Sequence, residues 1–105
     1  MYEKKKNTPK AIEFYQKAIA VDIHNILAYH NLGYIYFLDK QYDKAIAQYD
    51  LALKYHPKYL KALRNRAYAN KAKGEFSVAC EDIKKAIALG DIKATELESV
   101  FCKGN

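Results

Sequence analysis

Asn31–Pro57 reads NLGYIYFLDKQYDKAIAQYDLALKYHP, with five tyrosines set among the small residues Gly33, Ala45 and Ala52. The spacing predicts two helices, Ile26–Leu38 and Tyr42–Tyr55, joined by the polar turn Asp39–Gln41. In the second helix Ala45, Tyr49, Ala52 and Leu53 recur three and four apart, which puts them on one face. Small side chains let a neighbouring helix backbone come close. Tyr29, Tyr36, Tyr42 and Tyr49 are large enough to fill the space between helices, so packing rather than tyrosine chemistry explains the pattern.

The pattern repeats along the chain. A shift of 34 positions sets Ala28 on Ala62, Asn31 on Asn65, Gly33 on Ala67, Tyr34 on Tyr68, Tyr42 on Phe76, Ala45 on Ala79 and Ala52 on Ala86. The same shift backwards sets Ala45 on Ala11, Tyr49 on Tyr15, Ala52 on Ala18 and Leu53 on Ile19. A second hairpin, Leu60–Lys73 and Phe76–Leu89, follows from this register. Before the first hairpin, Pro9–Val21 reads as one helix starting at its proline. Pro57, Gly74 and Gly90 mark the breaks, and a short helix is predicted from Ile92 to Cys102.

A chain of 105 residues supports about one small domain. Its apolar runs fall short of the roughly 20 residues that a bilayer span needs, and no apolar segment follows the lysines of MYEKKKNTPK as in a secretory signal. A cytoplasmic location is expected on this basis. Cys80 and Cys102 are too few for a disulfide scaffold and lack the spacing of a zinc site, so two reduced, largely buried thiols are expected. Eighteen basic against twelve acidic residues give a net charge of +6, which favours acidic partners.

With the period established, the residues resemble the tetratricopeptide repeat family. Tyr29, Leu32, Gly33, Tyr36, Ala45, Tyr49, Ala52 and Pro57 supply its pattern in the middle repeat. Leu63, Ala67, Phe76, Ala79, Ile83 and Ala86 give a looser copy. That copy has Arg66, Asn70 and Asp91 where Leu, Tyr and Pro are usual, departures expected to make its groove side more polar. The resemblance implies an all-α, right-handed superhelical solenoid of antiparallel helix pairs with a C-terminal capping helix. It divides the single domain 1–105 into a partial repeat at 1–25, repeats at 26–59 and 60–93, and a cap at 94–105. In the partial repeat only Met1–Lys6 remain for a first helix, which would leave one side of Ile12, Tyr15 and Ile19 under-covered. Either a longer protein or a second copy, forming a homodimer, would cover them. In the cap, Ala94, Leu97, Val100 and Phe101 are expected inward and Lys93, Glu96 and Lys103 outward.

The resemblance also implies a concave groove lined by the first helix of each pair. Its exposed side would carry Leu27, His30, Asn31, Tyr34 and Phe37, then Lys61, Arg64, Asn65, Tyr68 and Lys71. We assign peptide contact to Asn31, Tyr34, Lys61, Arg64, Asn65 and Tyr68. Apolar side chains of a partner peptide or helix would lie on the rings and acidic groups on the cations. Some members of the family clamp the terminal carboxylate of heat-shock chaperones with lysines and asparagines. Asn31 and Asn65 fall at clamp positions, but His30 and Tyr34 stand where Lys and Asn would precede Asn65.

Catalysis finds little support. His24, His30 and His56 have no metal-binding spacing, the glycines form no phosphate loop, and Glu81 with Asp82 read as an exposed pair serving Lys84 or Lys85. No enzyme activity, cofactor or metal is expected. Nucleic-acid binding is the rival reading, because lysines interleaved with tyrosines could follow a phosphate backbone, although the cations spread over both faces.

Overall fold

The computed structural model describes residues 3–102, with side chains from Thr8 onward. Six helices follow in chain order: α1 (Glu3–Val21), α2 (Ile26–Leu38), α3 (Tyr42–Tyr55), α4 (Leu60–Lys73), α5 (Phe76–Ala88) and α6 (Ile92–Phe101). Each packs on its chain neighbours, and α2 also meets α4, so the hairpins α2–α3 and α4–α5 stack side by side. The body measures 40 × 29 × 20 Å.

One turn closes three of the hairpins. Lys40, Gly74 and Gly90 take left-handed backbone at φ of 63°, 91° and 95°. The next N–H then reaches five residues back in each case: Gln41 to Tyr36 O, Glu75 to Asn70 O and Asp91 to Ala86 O, at 2.9, 2.8 and 3.0 Å. This satisfies carbonyls that the helix end leaves free. Helix starts are fixed by side chains at two places. Asn25 accepts from the Ala28 N–H, and Asp91 from those of Lys93 and Ala94.

Alanines hold the helices together by their smallness. Ala45, Ala52, Ala62, Ala67, Ala79, Ala86 and Ala94 are wholly buried, with Tyr49, Leu63 and Ile83 filling the space between them. Gly33 shows the same rule at its limit: a Cβ there would lie 2.7 Å from Tyr49 Cε1. Tyr29 is buried too, and its hydroxyl donates to the Ile23 carbonyl at 2.8 Å, which ties α2 to the α1–α2 turn.

Five sequence expectations need correction. First, α1 is continuous from Glu3, with Pro9 inside it, because turns on both sides of the proline are helical. Second, Asp82 is buried: its oxygens accept from Arg66 Nε and Nη2 at 2.9 and 2.7 Å, while Arg66 Nη1 donates to Asp50 at 2.7 Å. Third, Arg66, Asn70 and Asp91 turn into internal pairings instead of polarising the groove. Asn70 donates to the Arg66 carbonyl, and buried Asp91 accepts from Arg64 at 2.7 Å. Fourth, Val100 faces solvent, with Leu97 half-buried and Ala94 and Phe101 buried; Lys103 lies outside the described residues. Fifth, Cys80 and Cys102 form a disulfide, since the end of α6 brings their Cα atoms to 4.9 Å.

Candidate functional site

Helices α2 and α4 run beside each other and present the six assigned residues from two neighbouring elements. Tyr34 and Tyr68 are 45% and 40% exposed, large exposures for aromatic rings, and Lys61 is exposed as well. Asn31, Arg64 and Asn65 are half-buried. Tyr34 stacks with Phe37 at 6.5 Å, forming an aromatic shelf on α2. Across from it, Tyr68 meets Phe101 of α6 edge-on at 5.2 Å, and Lys71 Nζ lies 5.9 Å from the same ring.

The two basic residues are not equivalent. Arg64 Nε is held by the buried Asp91 carboxylate at 2.7 Å, so part of its charge is already compensated and its direction is set. Lys61 has no carboxylate partner among the described residues. Asn65 is also engaged: its amide nitrogen lies 2.8 Å from His30 Nε2, a hydrogen bond between α4 and α2.

His30 forms the centre of the floor. Its ring meets Tyr59 edge-on at 5.7 Å and lies 6.1 Å from Tyr49. Burial holds the imidazole below the ordinary histidine value; the Asn31 side chain opposes this, and Lys61 and Arg64 add to it. Both cations therefore act on the floor as well as on solvent. Among the described residues no well-formed hydrogen bond reaches His30 Nδ1 or the Tyr49 hydroxyl, and burial pushes that hydroxyl far above the usual tyrosine range.

Asp91 and Phe101 are buried but support this surface from beneath, through Arg64 and Tyr68, although sequence reading did not assign them to it. Asp91 looks like a turn residue after Gly90, and its link to Arg64 spans 27 positions with no local signal. Elsewhere among the described residues, no group of three His, Cys, Asp or Glu stands close enough to hold a metal ion, and no helix is long and apolar enough to cross a membrane.

Stacked helical hairpins with an aromatic and cationic surface on adjacent first helices define a helical-repeat solenoid. Residues 14–47 match the tetratricopeptide repeat. Human serine/threonine-protein phosphatase 5 is 31% identical over 86 residues, which are 82% of this chain and 17% of the phosphatase. Human tetratricopeptide repeat protein 6 is 40% identical over 60 residues, 57% of this chain and 12% of that protein. Two solved structures are similar throughout. The first TPR of Spaghetti (RPAP3) bound to HSP90 peptide SRMEEVD has a TM-score of 0.85 at 25% identity, covering 97% of this chain and 82% of that one. The second TPR domain of human RPAP3, in complex with HSP70 peptide SGPTIEEVD, has a TM-score of 0.84 at 27% identity, covering 98% and 88%. The chain belongs to the tetratricopeptide repeat family, and its fold is the all-α superhelical solenoid of antiparallel helix pairs.

Proposed function

We propose that this chain is a protein-interaction module that takes an acidic peptide or helix of a partner protein along the α2–α4 groove. The observation that carries the reading is that exposed Lys61, which has no carboxylate partner among the described residues, stands on α4 beside the helix that carries the Tyr34–Phe37 shelf. An extended segment could lay an apolar side chain on the rings and an acidic group on Lys61, with Asn31, Asn65 and Tyr68 beside it. The acidic peptides bound by the two similar RPAP3 domains support the same chemistry.

Those peptides also favour a narrower reading, a carboxylate clamp of the co-chaperone kind. In it, Asn65 would exchange its His30 bond for the ligand. Because the chain spans 17% of the phosphatase, catalysis is not carried over, and we infer a scaffold without chemistry of its own. A cytoplasmic location, the repeat boundaries drawn above, and pairing of two copies through Ile12 and Tyr15 belong to the same proposal. Phe14 supports that pairing: it is 66% exposed beside half-buried Tyr15. A concentration-independent monomer mass in light scattering would remove the pairing.

The test of the groove is Lys61→Glu. Arg64→Glu is a poorer probe, because it would set a second carboxylate against Asp91 and loosen α6. Fluorescence anisotropy with labelled SRMEEVD should show binding that Lys61→Glu weakens about tenfold, a loss of about 1.4 kcal/mol, with helicity unchanged. Equal affinities for the two proteins would refute the assignment. A steep, sequence-independent preference for oligonucleotides that collapses with salt would favour nucleic acid instead.

A further inference from the structure

Helix α6 is attached unevenly. At its start, Asp91 caps the Lys93 and Ala94 N–H groups and also holds Arg64, while Ala94 is wholly buried. Its second half offers less. Val100 is 54% exposed and Leu97 is half-buried, so Phe101 is the one wholly apolar side chain of the last turn that is buried. A ten-residue helix has little stability of its own in water and depends on what holds it down. The residue after Phe101 is Cys102, and its sulfur is bonded to Cys80 on α5.

Phe101 is also where α6 touches the groove. Its ring meets one edge of Tyr68 and lies 5.9 Å from Lys71 Nζ, both on α4. The covalent bond next to it therefore fixes the groove wall formed by α6. We propose that Cys80–Cys102 is a redox latch: intact, it seats Phe101 on Tyr68 and Lys71; reduced, it lets the last turn of α6 leave α4 and uncovers both side chains. Its effect on peptide affinity rests on the groove reading above, whereas its effect on α6 does not.

The chemistry is thiol–disulfide exchange with a dithiol reductant. A reductant thiolate attacks one sulfur, the Cys80–Cys102 bond breaks, and the other sulfur leaves as a thiolate that takes up a proton. The second reductant thiol then resolves the mixed disulfide. Two electrons pass to the protein, which gains two thiols, and the reductant becomes a disulfide. Both cysteines are half-buried, so neither residue is sealed in the core.

The test has two arms, each run with and without dithiothreitol and on Cys80→Ser. In the first, amide exchange by mass spectrometry should accelerate about tenfold or more across residues 97–102 on reduction and in the variant, while α2 and α3 stay unchanged. Equal protection of α6 in all three samples would overturn the latch, as would two free thiols titrated in the air-oxidised protein. In the second, affinity for labelled SRMEEVD should change severalfold on reduction in the wild type and not respond to dithiothreitol in Cys80→Ser. Equal affinity in the two redox states of a chain that binds the peptide would overturn the coupling to the groove. Failure of the peptide to bind in either state would instead overturn the groove reading, with the exchange arm still deciding the latch.

Discussion

The Tyr49 ring lies over Gly33 so closely that a methyl group on that glycine would stand 2.7 Å from Cε1 and 3.0 Å from Cδ1 and Cζ. Tyr49 is wholly buried and sits between helices on both sides, so the ring has little room to withdraw. Gly33→Ala should therefore cost about 1–3 kcal/mol despite the better helix propensity of alanine. Urea unfolding followed by circular dichroism would measure it, and an unchanged midpoint would mean that the α2–α3 contact can open freely.

Lys40 occupies the left-handed position that glycine fills 34 residues later at Gly74. A side chain in that conformation is strained, and the glycine at Gly74 avoids the strain. Lys40→Gly should raise stability by about 0.5–1 kcal/mol, an increase in thermal midpoint. The reverse change, Gly74→Lys, should lower it although nothing lies within 4 Å of the site.

Arg66 joins three helices, but its two carboxylate partners are not equal. The Asp82 side chain is 5% exposed and binds through both oxygens, whereas that of Asp50 is 55% exposed. Asp82→Ala should cost about 3 kcal/mol by leaving a mostly buried guanidinium poorly paired, and Asp50→Ala under about 1 kcal/mol. Equal losses in chemical denaturation would place the weight on the outer pair instead.

Stability should depend on pH through His30. The folded state holds this imidazole below its ordinary value of 6.5, chiefly by burial, so the unfolded chain takes up the proton first as pH falls. Below about 6.5 protonation of the unfolded chain lowers stability, and the loss grows until pH reaches the lowered folded value. His30→Gln should flatten this part of the stability curve between pH 7 and 5, as read by thermal midpoints in matched buffers; parallel curves would exclude His30 as the source.

Much of the fold was legible because its causes are local. The 34-residue recurrence, the turns at Gly74 and Gly90, and the alanine faces of α3 and α5 follow from side-chain size and backbone freedom within a few residues. Asp82 was misread for the opposite reason. On its own helix it neighbours Lys84 and Lys85, but the hairpin closes it against Arg66, 16 positions earlier. The six assigned groove residues do fall on adjacent helices, and which of them are already engaged was invisible in the one-dimensional pattern.

The amino-acid order alone determined a stack of helical pairs, because periodicity and small-residue spacing fix which face each helix must bury; that the first helices line a groove was implied by the family resemblance. Only the tertiary structure decided that Lys61 has no carboxylate partner among the described residues while Arg64 is held by Asp91, that Asn65 reaches His30, and that Cys80 meets Cys102. These are contacts between residues 22–35 positions apart. Their partners are chosen by how neighbouring helices seat against each other, which no local signal encodes.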